Sequence, residues 1–142
     1  SGLVFDRLTL AEMALIAHPK HPAVKGRAPV DAARLANVPI IMSELTVGYG
    51  QVVLAMFTDL GLRPTLLAVA DNIETMKVIV ETGNCVAIVP RASARNEVAR
   101  GVLKALPIVP QRHVALSLFR RRQPLSRRKD VLLTALRGRL KD

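Results

Sequence analysis

The chain has 142 residues, half of them apolar, which suits one domain or a piece of one and is enough to close a core. Aromatic residues make up only 3% and tryptophan is missing, so an aliphatic core is expected and stacking platforms for single-stranded nucleic acid are disfavoured. The formal charge is +10, and charged side chains interrupt every apolar run before it reaches the length of a membrane-spanning helix.

In chain order, Glu12 to Ala17 (EMALIA) reads as a strand ended by His18-Pro19. Lys20 to Pro29 mixes His, Pro, Lys, Gly and Arg and reads as a surface loop. Asp31 to Ala36 suits a short helix, Pro39 to Met42 a second strand, and Ser43 to Gly50 a polar loop. Gln51 to Leu60 is a helix, because Val53, Met56, Phe57 and Leu60 share one face and Gly61 follows as its stop. Thr65 to Ala70 is a strand. Asp71-Asn72 then offers a helix cap, with Glu74 at the positive start and Ile73, Met76, Ile79 and Val80 as the buried stripe up to Gly83.

Cys85 to Val89 is continuously apolar, as a strand covered on both faces should be. Pro90 opens a helix through Ala99 that Gly101 stops. Val102 to Val109 and Val114 to Phe119 are strands around Pro110-Gln111-Arg112, and Ser126 caps a last helix carrying Leu133, Leu136 and Leu140. Strand, helix, strand, helix, strand from Pro64 to Leu106 is a βαβ unit with an appended helix, the building block of a parallel sheet covered by helices. Ligands of such sheets bind where strands end and helices begin.

After residue 119 nine basic residues face two acidic ones, which reads first as a solvated helix face and second as a surface for phosphate or an acidic partner. The single Cys85 cannot form an internal disulfide and fits a reducing compartment. His18, His21 and His113 do not make a metal-ligand set with a buried Cys85, so no metal and no cofactor are expected. No G-x-S-x-G, G-x-G-x-x-G or phosphate-cradling loop is present, and no enzyme activity is expected.

Three connections carry the candidate contacts. Ser43 and Thr46 sit between a strand and a helix, where hydroxyls and backbone N–H groups can face an anion. Asn72 and Thr75 open the next helix and can hydrogen-bond a carboxylate, with helix capping the competing role for Asn72. Arg91 follows the apolar strand and can grip an acid by a forked contact, with plain solvation the competing role.

An ordered set of short motifs resembles the C-terminal part of LysR-type transcriptional regulators. These are His18-Pro19-Lys20-His21-Pro22, Val38-Pro39-Ile40-Ile41, Phe57 with Gly61-Leu62-Arg63-Pro64, and Asn72-Ile73-Glu74-Thr75. Val78 to Gly83, Val86-Ala87-Ile88-Val89-Pro90, Gly101-Val102-Leu103 and Leu106-Pro107-Ile108 continue the order. The resemblance implies an α/β fold, a periplasmic-binding-protein type II-like lobe with a mostly parallel central sheet flanked by helices on both faces.

By the same resemblance residues 1–10 are a crossover segment, 11–109 the second effector-binding lobe, and 110–142 a strand and helix returning to a first lobe that is mostly absent. The chain would sense a small-molecule effector through Ser43, Glu44, Leu45, Thr46, Asn72, Thr75 and Arg91. It would work as a homo-oligomer, dimer or tetramer, in the cytoplasm. DNA would be contacted only through an N-terminal helix-turn-helix outside this chain, and no membrane is involved. The alternative is a fragment of a periplasmic-type solute-binding protein of a transporter.

Overall fold

The computed structural model describes residues 3–45 and 48–121, with side chains described for 11–45 and 48–113. One long strand, β1 (Leu3–Ala17), organises it. In its first part β1 pairs antiparallel with β7 (His113–Arg121), from Leu3 opposite Arg121 to Glu12 opposite His113. Its last part lies between β5 (Ala87–Pro90) and β6 (Lys104–Val109), antiparallel to both. Beyond β6 the short β2 (Val30–Asp31) pairs in parallel. On the other side β3 (Pro39–Met42) and β4 (Thr65–Val69) form a parallel ladder. A parallel bridge between Ile40 and Val86 ties that ladder to β5, with Ile41 N–H donating to Val86 O and Val86 N–H to Pro39 O, each at 3.0 Å. The stretches around Val69, Ile41, Ile88 and Ile16 thus stand side by side in that order.

The sheet is mixed, and the expectation of mostly parallel pairing needs correcting. β2, β3, β4, β5 and β6 share one direction, but β1 runs against both its neighbours and then against β7. The reason is connectivity. Helical crossovers return the chain to the same end of the sheet and give parallel neighbours, whereas β1 pairs with β7 along its first part and runs on between β5 and β6 in the opposite direction.

Period-two alternation sorts the strands' side chains onto two faces. Met13, Leu15, Ala17, Ile40, Met42, Val86, Ile88, Leu106 and Ile108 form one buried cluster with Val53, Met56 and Phe57 of helix α1 (Gly48–Asp59). Ile16, Ile41, Ala87, Val89 and Leu103 form the other with Met76 and Val80 of helix α2 (Ile73–Val80) and with Ala94. Helices therefore cover both faces. The α1 stripe closes one residue early: Leu60 lies past the helix end and is 40% exposed. Gly61 then makes a left-handed stop (φ +70°), with Gly61 N–H to Thr58 O and Leu62 N–H to Phe57 O, both 2.9 Å.

The expected helix from Pro90 to Ala99 is two pieces, a 3₁₀ turn (Arg91–Ala94) and α3 (Arg95–Ala99). The short helix expected after Asp31 is a 3₁₀ turn (Ala32–Leu35), capped by Asp31 Oδ1 accepting from Ala33 N–H at 2.9 Å. Thr46 and the expected last helix lie outside the described residues. Among the described residues no helix is long and apolar enough to cross a membrane.

Candidate functional site

Because β2 to β6 run the same way, their carboxyl ends meet on one edge, which Glu12 of the opposing β1 also reaches. Met42 leads there into Ser43, Val69 into Asn72, Pro90 into Arg91, and Val109 into Gln111. Open α/β sheets take ligands at such an edge. The structure thus brings the described sequence-derived candidates there, Thr46 lying outside the described residues, but as three separate groups.

The first is the loop before α1. Ser43 is buried and its hydroxyl hydrogen-bonds that of Tyr49. Burial raises the Tyr49 phenol above its ordinary value, and the Ser43 bond opposes this. Glu44 is exposed, and Leu45 packs against the α1 cluster. The loop folds back on the helix start. A Cβ on Gly50 would stand 2.8 Å from Ser43 Oγ and 2.9 Å from the Glu44 carbonyl carbon, so only glycine admits this close approach. The Ser43 hydroxyl holds the loop's shape, and the loop's outward polar surface is left to Glu44 and the backbone.

The second group opens α2. Asn72 Oδ1 accepts the Thr75 N–H at 2.9 Å, so Asn72 is the cap of this helix. The Thr75 side chain is exposed beside it. The third group is Arg91, whose Nη1 stands 3.8 Å from Glu12 Oε1 with its side chain 48% exposed. Glu12 Oε1 also takes a long 3.5 Å contact from Gln111 Nε2. Gln111 Oε1 accepts from Met13 N–H (3.2 Å) and Arg112 N–H (3.0 Å). Arg91 and Glu12 line a pocket of about 480 Å³ with Arg95, Val98, Ala99 and Ala105. Its chemistry is a cationic rim over a small apolar floor.

Sequence reasoning missed Lys77. It lies on α2's buried face, only 5% exposed, and all three ammonium protons have acceptors. These are Glu74 Oε1 and Glu97 Oε2, both at 3.0 Å, and Ser93 O at 2.8 Å. It ties the helix that begins at Asn72 to the segment that begins at Arg91. Burial pushes the Glu97 carboxyl up, but the Lys77 hydrogen bond and charge, with Arg100 nearby, outweigh this and leave it below the ordinary carboxylate value. The available signal was spacing: Ile73, Met76, Lys77 and Val80 share a helical stripe, so a lysine there must be buried and paired.

The histidines serve local turns. His18 Nδ1 accepts from Lys20 N–H and His21 Nδ1 from Ala23 N–H, each at 3.0 Å. Cys85 is buried, and burial pushes its thiol up, away from the reactive thiolate. Among the described residues no group of three or more His, Cys, Asp and Glu side chains could hold a metal.

A family model described as the LysR substrate binding domain matches residues 1–141. Many solved structures have similar folds, three of them as follows. The effector binding domain of QuiR in complex with shikimate is 19% identical, TM-score 0.69, covering 96% of this chain and 64% of that one. The Synechocystis PCC6803 CcmR regulatory domain in complex with 2-PG is 19% identical, TM-score 0.75, covering 99% and 68%. CbnR, a LysR family transcriptional regulator, is 18% identical, TM-score 0.71, covering 99% and 49%. This chain therefore spans between about half and two thirds of the structures it matches. No sequence among curated proteins matches it.

Proposed function

The chain belongs to the LysR substrate binding domain family, and from that premise we propose that it is the effector-sensing part of a LysR-type transcriptional regulator, binding a small acid at the carboxyl edge of its sheet. One observation carries the reading: Ser43–Leu45, Asn72 with Thr75, and Arg91 with Glu12 come from three distant stretches and open onto the same edge. Shikimate and 2-PG, the ligands bound by the QuiR and CcmR domains, make acids the first class to test.

Arg91 supplies the charge for such a ligand. Its contact to Glu12 is long and half-exposed, so a carboxylate with better fork geometry can replace Glu12 as its partner. The first lobe would complete the site from the other side. A ligand that favours one lobe arrangement shifts the assembly toward it, and DNA contacts made by another part of the regulator change in turn. The protein works in the cytoplasm and turns over no substrate. Residues 11–109 act as the second lobe, and 110–142 as the return segment.

Self-association uses the sheet's open side. β4 pairs only with β3 among the described strands, and Leu66, Leu67 and Val69 are 41%, 53% and 48% exposed. Val78 on neighbouring α2 is 66% exposed. An unpaired strand flanked by apolar side chains is a surface that pairing covers.

Calorimetry with a set of small carboxylic acids, shikimate among them, and their uncharged amides tests the ligand class. Weak binding of acids, lost on Arg91→Gln, is the expected result. Amides that bind as well as acids would refute it, and tight saturable binding would show that the first lobe is not needed.

A further inference from the structure

The effector edge leaves a second, roomier cavity unexplained. It is an open trough of about 860 Å³, lined by residues between His21 and Pro39, and it shares none of them with the pocket at Arg91. We propose that this trough is a docking groove for an extended acidic segment of a partner protein.

Three observations carry the proposal. The first is charge. Lys25 and Arg34 are both exposed, and no described acid pairs with either. The one carboxylate in the lining is Asp31, which is exposed and caps Ala33 N–H through Oδ1. The trough therefore presents two cations against one carboxylate, and an acidic partner is the complement of that excess.

The second observation is an open strand. Val30 and Asp31, which form β2, line the trough, and β2 pairs with β6 on one side only among the described strands. An extended peptide can add itself to such an edge through its backbone. Openness favours a peptide over a metabolite as well. Pro22, Lys25, Ala28, Pro29, Arg34 and Asn37 of the lining are exposed, so the trough cannot enclose a small molecule as metabolite pockets do.

The third is rigidity. Val24, Ala32 and Leu35 anchor the walls in the core, and Lys104 Nζ donates to Val24 O at 2.5 Å, fastening the near wall to β6. Pro22, Pro29 and Pro39 stiffen the lining. A preformed groove loses little conformational freedom on binding. The absence of aromatic side chains from the lining leaves nothing for bases to stack on, which disfavours single-stranded nucleic acid.

The test is fluorescence anisotropy on this chain with a labelled dodecapeptide alternating Glu and Val. Two probes run beside it: the same peptide with Gln for Glu, and a labelled DNA duplex. The Glu peptide is expected to bind, more weakly as salt is added. Loss of two cationic contacts should weaken it at least about tenfold in K25E/R34E, since each tenfold is only about 1.4 kcal/mol. Arg63→Glu, a charge reversal outside the trough, should leave it unchanged. All substituted residues are exposed, so folding is not at stake. No binding of the Glu peptide, equal binding of the Gln peptide, or unaltered binding by K25E/R34E overturns the proposal. A duplex that outcompetes the peptide and depends on the same two residues also overturns it, assigning the trough to nucleic acid. No effector enters the experiment, so its outcome is independent of the effector reading.

Discussion

At the scale of single residues, Lys77 has the largest structural consequence. Its ammonium is buried and triply bound between α2 and the segment after β5. Lys77→Met leaves buried Glu97 with only the longer 3.8 Å contact to exposed Arg100, and breaking one half of a buried pair costs about 3–5 kcal/mol. Urea unfolding should show that loss, and K77M/E97L should recover most of it because the orphaned charge is removed as well. Glu97 also sets a pH dependence. Its carboxyl sits below its unfolded value, so its contribution is present above the ordinary carboxylate pKa and fades as pH falls through the lower folded value. Stability measured across acid pH should fall less steeply in Glu97→Gln than in the native chain. Gly50→Ala tests the loop before α1. A methyl there meets the Glu44 backbone, so the variant should be destabilised and Tyr49 should lose its half-buried environment, read by its fluorescence. At this scale the sequence showed the apolar stripes and the Asn72 cap. Lys77 was legible only as an oddity in a stripe, because its partners lie on a different element.

Among the elements, the strands centred on Ile41, Val69 and Ile88 and both long helices follow from apolar periodicity and capping. Boundaries move where packing overrides the local signal. α1 begins at Gly48 because the loop packs onto its first turn, and the segment after Pro90 tightens into a 3₁₀ turn before α3. Asn72→Ala removes the cap on Thr75 N–H and should cost about 1 kcal/mol by thermal unfolding. β4 was readable as a strand but not as an edge, since edge position depends on which partners the whole sheet supplies. Its exposed Leu66, Leu67 and Val69 are the basis for proposing it as a seam for a second copy of the chain. Leu67→Lys, which places a charge on that seam, should convert a self-associating native chain into a monomer by light scattering. A native chain already monomeric at high concentration would refute the seam.

For the whole molecule, the direction of β1 was the feature the sequence could not supply. Its partners β5 and β6 lie far along the chain, and nothing local states whether a strand meets them parallel or antiparallel. What was legible is that the apolar stretches are strands of one sheet, and with it the strand-to-helix connections where Ser43, Asn72 and Arg91 emerge; their order across the sheet came from the structure. Gln111 shows how that edge connects to the rest. It bonds Met13 N–H and Arg112 N–H where β1 passes from β7 to β6, and it reaches Glu12, the partner of Arg91. Arg112 in turn pairs with Asp59 at the end of α1, Nη2 to Oδ2 at 3.1 Å. In the proposed reading, a ligand that draws Arg91 away from Glu12 acts beside the crossing point of the two long strands. The half-exposed Arg91–Glu12 contact is worth at most about 1 kcal/mol, so Arg91→Gln should leave folding intact while removing the ligand's anchor. The most direct measurement is backbone amide shift mapping of this chain during titration with shikimate and other small carboxylic acids. The account expects shifts concentrated at Glu12, Ser43–Leu45, Asn72–Thr75 and Arg91, and abolished in Arg91→Gln. Shifts gathered instead around Lys25 and Arg34, or unchanged by Arg91→Gln, would contradict it.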